Sequence, residues 1–289
     1  MKAAERFEYA TRDDPALNYC LWQYAPARPA EDNFRSINLL LHSFEVAGVD
    51  ERACAIVDAI RDAIGPFRTV FGVKLRDGGL AWEFYFYDYA RRAREVSISR
   101  VLAAIRPYVR CDVRPNERLP YFMFSLDLDR ELAAGARPLD VVHMYVGNPG
   151  SAVSSGIAYA VRPARVTLEN FYFFFDAERQ LDEAAGKICS SAYFDDTRLP
   201  VDAVLVPELR RCKTICVANK QTHDCVYFSG VDVAQLVHFL ERLAYPEPLA
   251  AFVRSHSARF EHLLFDVGFD YRMEDGRLRV LKSGYYGVF

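Results

Sequence analysis

No apolar run in the chain reaches the roughly 18 residues that a membrane-spanning helix requires, and the opening MKAAERFEYATRDD carries charges where a signal peptide has its apolar segment. A cytoplasmic protein with no membrane partner is the expectation. Cysteine is sparse and unpatterned: the seven residues form an odd set with no Cys-x-x-Cys spacing, which argues against a disulfide framework. Cys212, Cys216, His223 and Cys225 are close in sequence but fit no usual zinc spacing, so no metal site is expected. An excess of one charge is missing too. A formal net charge of -3 leaves no footprint for a nucleic-acid backbone, which needs concentrated Lys and Arg.

Catalytic signatures are equally scarce. There is no G-x-S-x-G, no Walker loop and no H-E-x-x-H. The Gly- and Ser-rich stretch 147–156 lacks the lysine and following helix of a phosphate-cradling loop, and Asp195-Asp196 lacks the further acid of an aspartate-rich magnesium motif. No Ser/Gly linker or low-complexity segment divides the chain. The reading is one domain over 1–289, with 1–45 an irregular or partly helical lead-in and 46–289 carrying the fold.

What the sequence does have is aromatic residues, and they recur in a pattern. Two aromatic or β-branched runs are followed by a helical pattern, five times over. FRTVFGVKL and LAWEFYFYDY are hinged on Asp77-Gly78-Gly79, a strong hairpin signal, after a helix read from an N-cap at Asp50 to a stop at Gly65-Pro66. Next come PYFMFSLDLD with VVHMYVG, GIAYAVRP with VTLENFYFFF, CKTICVANK with CVYFSGV, and HLLFDVGFDYRM with RLRVLKSGYYGVF. Helical patterns precede or follow each pair, among them DVAQLVHFLERLAY with Asp232 as N-cap. The fold class predicted is α+β. Ten antiparallel strands avoid open edges by closing into a barrel, and helices between the hairpins coat its outside.

Alternation along the strands supports closure. Trp82, Phe84 and Phe86 form one row, while Glu83, Tyr85, Tyr87 and Tyr89 form the other. Phe171, Phe173 and Phe175 stand opposite Asn170, Tyr172 and Phe174. Phe122, Phe124, Leu126 and Leu128 stand opposite Tyr121, Met123, Ser125 and Asp127, and His143 shares a face with Tyr145. An ordinary half-buried strand shows water on one side; here one face is apolar and the other aromatic but polar, the pattern of a barrel with a ligand chamber in its lumen. A two-layer α+β fold with tyrosine hydroxyls at the rim is the competing architecture. It must find partners for each buried polar group, at roughly 1–3 kcal/mol apiece when unpaired.

On the last strand Lys282, Gly284 and Tyr286 share a face. A cation in a water-poor aromatic chamber needs an anion, so a phosphate-like ligand is a natural partner. Five hairpin-plus-helix units, a terminal K-x-G-x-Y arrangement and the Asn170-Phe171-Tyr172-Phe173 run together resemble the soluble aromatic prenyltransferases of the α-β-β-α (ABBA) barrel family, over residues from about 50 to 289. The chain departs from that family on the third strand, where Met123, Ser125 and Asp127 stand in place of a basic residue, and near the eighth, where Asp224-Cys225 stand in place of an arginine.

The resemblance implies electrophilic transfer of an allylic group from a prenyl diphosphate to a small aromatic acceptor in secondary metabolism. Lys282, with Lys74, Arg162 and Lys220, would neutralise the departing diphosphate. Tyr85, Tyr87, Tyr121, Tyr145, Asn170, Tyr172, Tyr227 and Tyr286 would line the chamber, their ring faces shielding the cation. Glu83 or His143 would orient or deprotonate the acceptor. The resemblance leaves the cofactor open, magnesium being required by some family members and dispensable in others. Two other functions fit the same residues: a noncatalytic barrel for an apolar aromatic ligand, and an interaction protein with no chamber.

Overall fold

The computed structural model describes residues 7–49, 51–90, 93–148 and 153–289; the N-cap expected at Asp50 and part of the 147–156 stretch lie outside them. Ten strands run in chain order: β1 (Thr69–Arg76), β2 (Gly79–Tyr87), β3 (Tyr121–Leu128), β4 (Val142–Gly147), β5 (Ser154–Arg162), β6 (Arg165–Asp176), β7 (Thr214–Lys220), β8 (Asp224–Val231), β9 (Phe265–Glu274) and β10 (Arg277–Val288). Each pairs antiparallel with its sequence neighbours, and β1 pairs with β10 from Val70 opposite Val288 to Arg76 opposite Lys282, closing the barrel. The closed ten-stranded antiparallel architecture expected from the sequence is the one observed.

Local chemistry explains the hairpins. Asp77 and Gly78 both adopt positive φ (49° and 75°), as do Asp275 and Gly276 (51° and 75°). These are the two-residue turns whose twist matches that of paired strands.

Helices surround the sheet: α1 (Ile37–Ala47), α2 (Glu51–Ile64), α3 (Ile98–Ile105), α4 (Arg130–Ala133), α5 (Leu181–Cys189), α6 (Val233–Arg242), α7 (Glu247–Ser255) and α8 (Ser257–Phe260). The Ser97 side chain caps α3 by accepting from the Arg100 N–H, and Asp232 with Gln235 forms a capping box on α6. Helix α1 starts within the segment read as a lead-in.

Two apolar layers result. Outside the barrel, Trp82, Phe84, Phe86, Phe124, Leu126 and Leu128 pack under the helices. Trp82 Nε1 donates to Ser43 Oγ of α1 at 2.7 Å. Inside, Tyr85, Tyr87, Met123, Tyr145, Tyr172 and Tyr286 meet across the lumen.

Strand β3 breaks the expected alternation. Its register against β4 slips between Tyr121 and Met123, a bulge that puts one extra residue into the strand and reverses which way its first side chains point. Tyr121 therefore lies outside the chamber, against Phe124 and beneath the Arg94 guanidinium at 3.5 Å from its ring centroid. Phe122 turns inward instead. Tyr89 lies past the end of β2, 56% exposed, stacked on Tyr87 and Phe122 at the rim rather than lining the wall.

Candidate functional site

The lumen is hollow because rings and small residues share its wall. Gly72, Gly284 and Gly268 face inward beside large rings. A Cβ on Gly72 would sit 2.6 Å from Tyr286 Cε1, and one on Gly268 would sit 2.3 Å from Tyr227 Cδ1. Ala158 and Ala218 join the same inner layer. The resulting cavity, about 720 Å³, opens at the end where the β1–β2, β5–β6 and β7–β8 turns lie. This is the size of a small-molecule site.

Three lysines from three strands reach that cavity: Lys74 (β1), Lys220 (β7) and Lys282 (β10). Arg76 and Arg165 join them at the rim. Arg162 is not part of the wall. It sits directly opposite Arg165 across the β5–β6 turn, where like charges repel; only Arg165 reaches the cavity, while Arg162 keeps one guanidinium nitrogen enclosed without a partner.

The charges divide into two groups. In the first, Lys74 contacts Glu83 and lies 3.1 Å from Asp127 Oδ1. Glu83 also accepts from Tyr85 Oη at 2.6 Å and from Ser125 Oγ, and Ser125 Oγ lies 3.1 Å from Tyr145 Oη. His143 bridges Asp127 Oδ2 at 3.1 Å and Glu169 Oε2 at 2.7 Å. In the second, the buried Asp270 faces Lys220 Nζ at 2.8 Å, His223 Nε2 at 3.0 Å and Lys282 Nζ at 3.3 Å. The first group sets two cations against three carboxylates, whereas the second sets two ammonium groups against one. One flank of the mouth is thus electronegative and the other electropositive.

Titration follows from this arrangement. Burial pulls the His143 imidazole down, but the Asp127 and Glu169 bonds outweigh it and raise its pKa to about 10. With both ring nitrogens donating to carboxylates, His143 is an imidazolium at neutral pH and has no lone pair with which to deprotonate an acceptor. Of the two roles expected of it, orienting the acceptor or deprotonating it, this pairing is compatible with the first. Burial likewise raises Glu83, yet the adjacent Lys74 ammonium more than compensates and holds it below the ordinary carboxylate value. Asp270 is held well below its usual range, its burial outweighed by Lys220 and Lys282.

Lys282 behaves differently. Burial, together with Lys220 and Lys74 nearby, lowers its pKa, and Asp270 does not fully offset this. It is the cation with most to gain from an added anion. Burial keeps the Tyr85, Tyr145, Tyr172, Tyr227 and Tyr286 hydroxyls protonated. The belt is therefore made of neutral phenols, with Tyr85 and Tyr227 each packed against Tyr286. Asn170 Nδ2 donates to Tyr172 Oη at 2.8 Å on the same wall, and Tyr87 lies deeper, edge-on to Tyr19.

Asp270, His223, Glu169 and Arg165 were missed from the sequence. The β9 stretch FDVGFDY puts Asp266, Gly268 and Asp270 on one face and Val267, Phe269 and Tyr271 on the other, so strand parity alone could have placed Asp270 in the lumen. Glu169 is the extra residue at a register shift between β5 and β6, and no pattern announces it. Among the described residues no three His, Cys, Asp or Glu converge as a metal-binding group, and no helix is long and apolar enough to cross a membrane. No protein-family model matches the chain, and no curated protein matches it either.

Proposed function

We propose that the chain transfers an allylic prenyl group from a prenyl diphosphate to a small aromatic acceptor. The observation that carries this reading is the convergence of Lys74, Lys220 and Lys282 from three strands on one cavity, directly above a belt of neutral tyrosines. The diphosphate would take the electropositive flank, with Lys220 and Lys282 stabilising the charge that builds on it as the C–O bond breaks. The allylic cation left behind would face the rings of Tyr85, Tyr227 and Tyr286, whose quadrupoles stabilise positive charge. The acceptor's hydroxyl or N–H would donate to the Glu83 flank. Once the new C–C bond has formed, the ring carbon holds a strongly acidic proton, so a carboxylate of lowered basicity such as Glu83 suffices to take it, directly or through Tyr85.

Calorimetry with dimethylallyl and geranyl diphosphate tests this, paired with product analysis over a panel of phenols and indoles. Lys282→Ala is expected to weaken diphosphate binding roughly 10- to 100-fold, the effect of losing one hydrogen bond to a charged group. Affinity should also fall as the pH rises through the lowered pKa of Lys282. Wild-type protein that gives no binding heat with either diphosphate defeats the proposal.

One observation favours a second reading, a noncatalytic barrel for an aromatic ligand: each of the three lysines already faces a carboxylate of the wall. Binding of simple aromatics with no response to diphosphate or to Lys282→Ala would select it.

A further inference from the structure

The lumen has a second end, opposite the mouth, and the N-terminal segment occupies it. Residues 16–24 cross that end, and their 3-10 turn Tyr19–Leu21 places Cys20 in the inner apolar layer with Tyr87, Tyr172 and Cys216, with Leu17, Tyr19 and Leu21 packed against it. Tyr19 and Trp22 line a remnant cavity of about 30 Å³ with Phe174 and Tyr227. That remnant has room for little more than one water, against about 720 Å³ at the mouth.

Three anchors hold the segment. The Tyr19 N–H donates to the buried Asp266 Oδ2 at 3.0 Å, and the Tyr89 hydroxyl donates to the Cys20 carbonyl at 3.0 Å. Tyr24 Oη accepts from the Leu264 N–H at 3.0 Å and donates to the His262 carbonyl at 3.3 Å. Cys20 and Leu21 both have positive φ (62° and 54°), a backbone that residues with side chains adopt only when their surroundings impose it. The segment is held by the barrel rather than by its own preference.

We propose that residues 16–24 are a stopper that fixes the depth of the chamber, and so limits the apolar body that an anionic ligand can carry beneath its charged head. The inference rests on the reading that the ligand's anion sits on Lys220 and Lys282. Lys282 pairs with Asp270 across β9–β10, and Tyr286 pairs with Asp266, the residue that anchors Tyr19. Four residues of strand at ~3.3 Å each separate the two levels, roughly 13 Å, and less along the axis because barrel strands tilt. A short body ends at the belt of Tyr85, Tyr145, Tyr172, Tyr227 and Tyr286, which lines both cavities; a longer one must pass between those rings into the remnant, where it meets Tyr19 and Trp22.

The test uses Tyr19→Ala, with a thermal melt to establish folding. Dimethylallyl, geranyl and farnesyl diphosphate are titrated by calorimetry, and n-alkanols of rising length are titrated separately by displacement of an environment-sensitive dye. Wild type is expected to disfavour farnesyl relative to geranyl by roughly tenfold or more, since the added five-carbon unit can be seated only by displacing packed side chains. Tyr19→Ala should erase that preference and leave dimethylallyl affinity unchanged. A folded Tyr19→Ala protein with the wild-type length profile overturns the stopper. If wild type binds no diphosphate, the anionic-head reading fails on its own, and the alkanols still decide: the longest alkanol bound must lengthen in Tyr19→Ala, and an unchanged limit overturns the proposal. Should Tyr19→Ala not fold, Tyr19→Trp supplies the opposite arm and must shorten the limit.

Discussion

His143 shows how completely partners decide what a side chain can do. An imidazole on a lumen wall reads as a general base, yet carboxylates on both ring nitrogens turn it into a fixed cation. Its folded pKa, about 10, exceeds the ordinary value near 6.5. The sign of the pH effect follows: its stabilising contribution is complete below about pH 6.5 and is lost as pH rises from there to about 10. Thermal melts should therefore show wild type losing stability across that window. His143→Gln should be less stable than wild type near pH 6, by roughly 1–3 kcal/mol for a charge-assisted pair of bonds, with the gap closing toward pH 10. A gap that stays constant with pH would mean the imidazole is not held as a cation.

At the scale of the strand, alternation was legible and its interruptions were not. Period-2 reasoning placed Trp82, Phe84 and Phe86 under the helices and Tyr85 and Tyr87 in the lumen, because an uninterrupted strand allows no other outcome. It failed at Tyr121, where a bulge beside Phe122 reverses the count. Inserting one residue costs little when the strand can bend, so nothing in the composition of PYFMFSLDLD marks it. Arg162 failed for a related reason: parity names a face but cannot say which of two facing arginines at a turn will reach the cavity. Asp232 and the Asp77-Gly78 turn were readable because capping and positive φ demand particular residue types. The N-terminal segment left no such mark, since its conformation is imposed from outside. Glycine gives the strand-scale prediction. A Cβ on Gly268 would lie 2.8 Å from the Val226 carbonyl oxygen as well as 2.3 Å from the Tyr227 ring, and the backbone oxygen cannot swing away. Gly268→Ala should destabilise the fold by about 1–3 kcal/mol, the range for overpacking, as measured by denaturant unfolding; an unchanged midpoint would show that the two strands separate freely there.

Across the whole molecule, nine of the ten strand pairings join sequence neighbours, and one, β1 with β10, joins residues as far apart as Val70 and Val288. Local pairings can form early, whereas a pairing between distant segments waits on closure of a long loop. In refolding followed by pulsed hydrogen exchange, amides shared by β1 and β10 should gain protection after those of the β7–β8 hairpin; simultaneous protection would show that the ring forms in one step. Until that seam zips, the sheet is a curled ribbon with two bare edges, able to capture strands from other chains. Slow folding, crowding or a lesion in β10 would thus be felt first as aggregation, before any loss of chemistry, because one row of hydrogen bonds separates a sealed vessel from an open template.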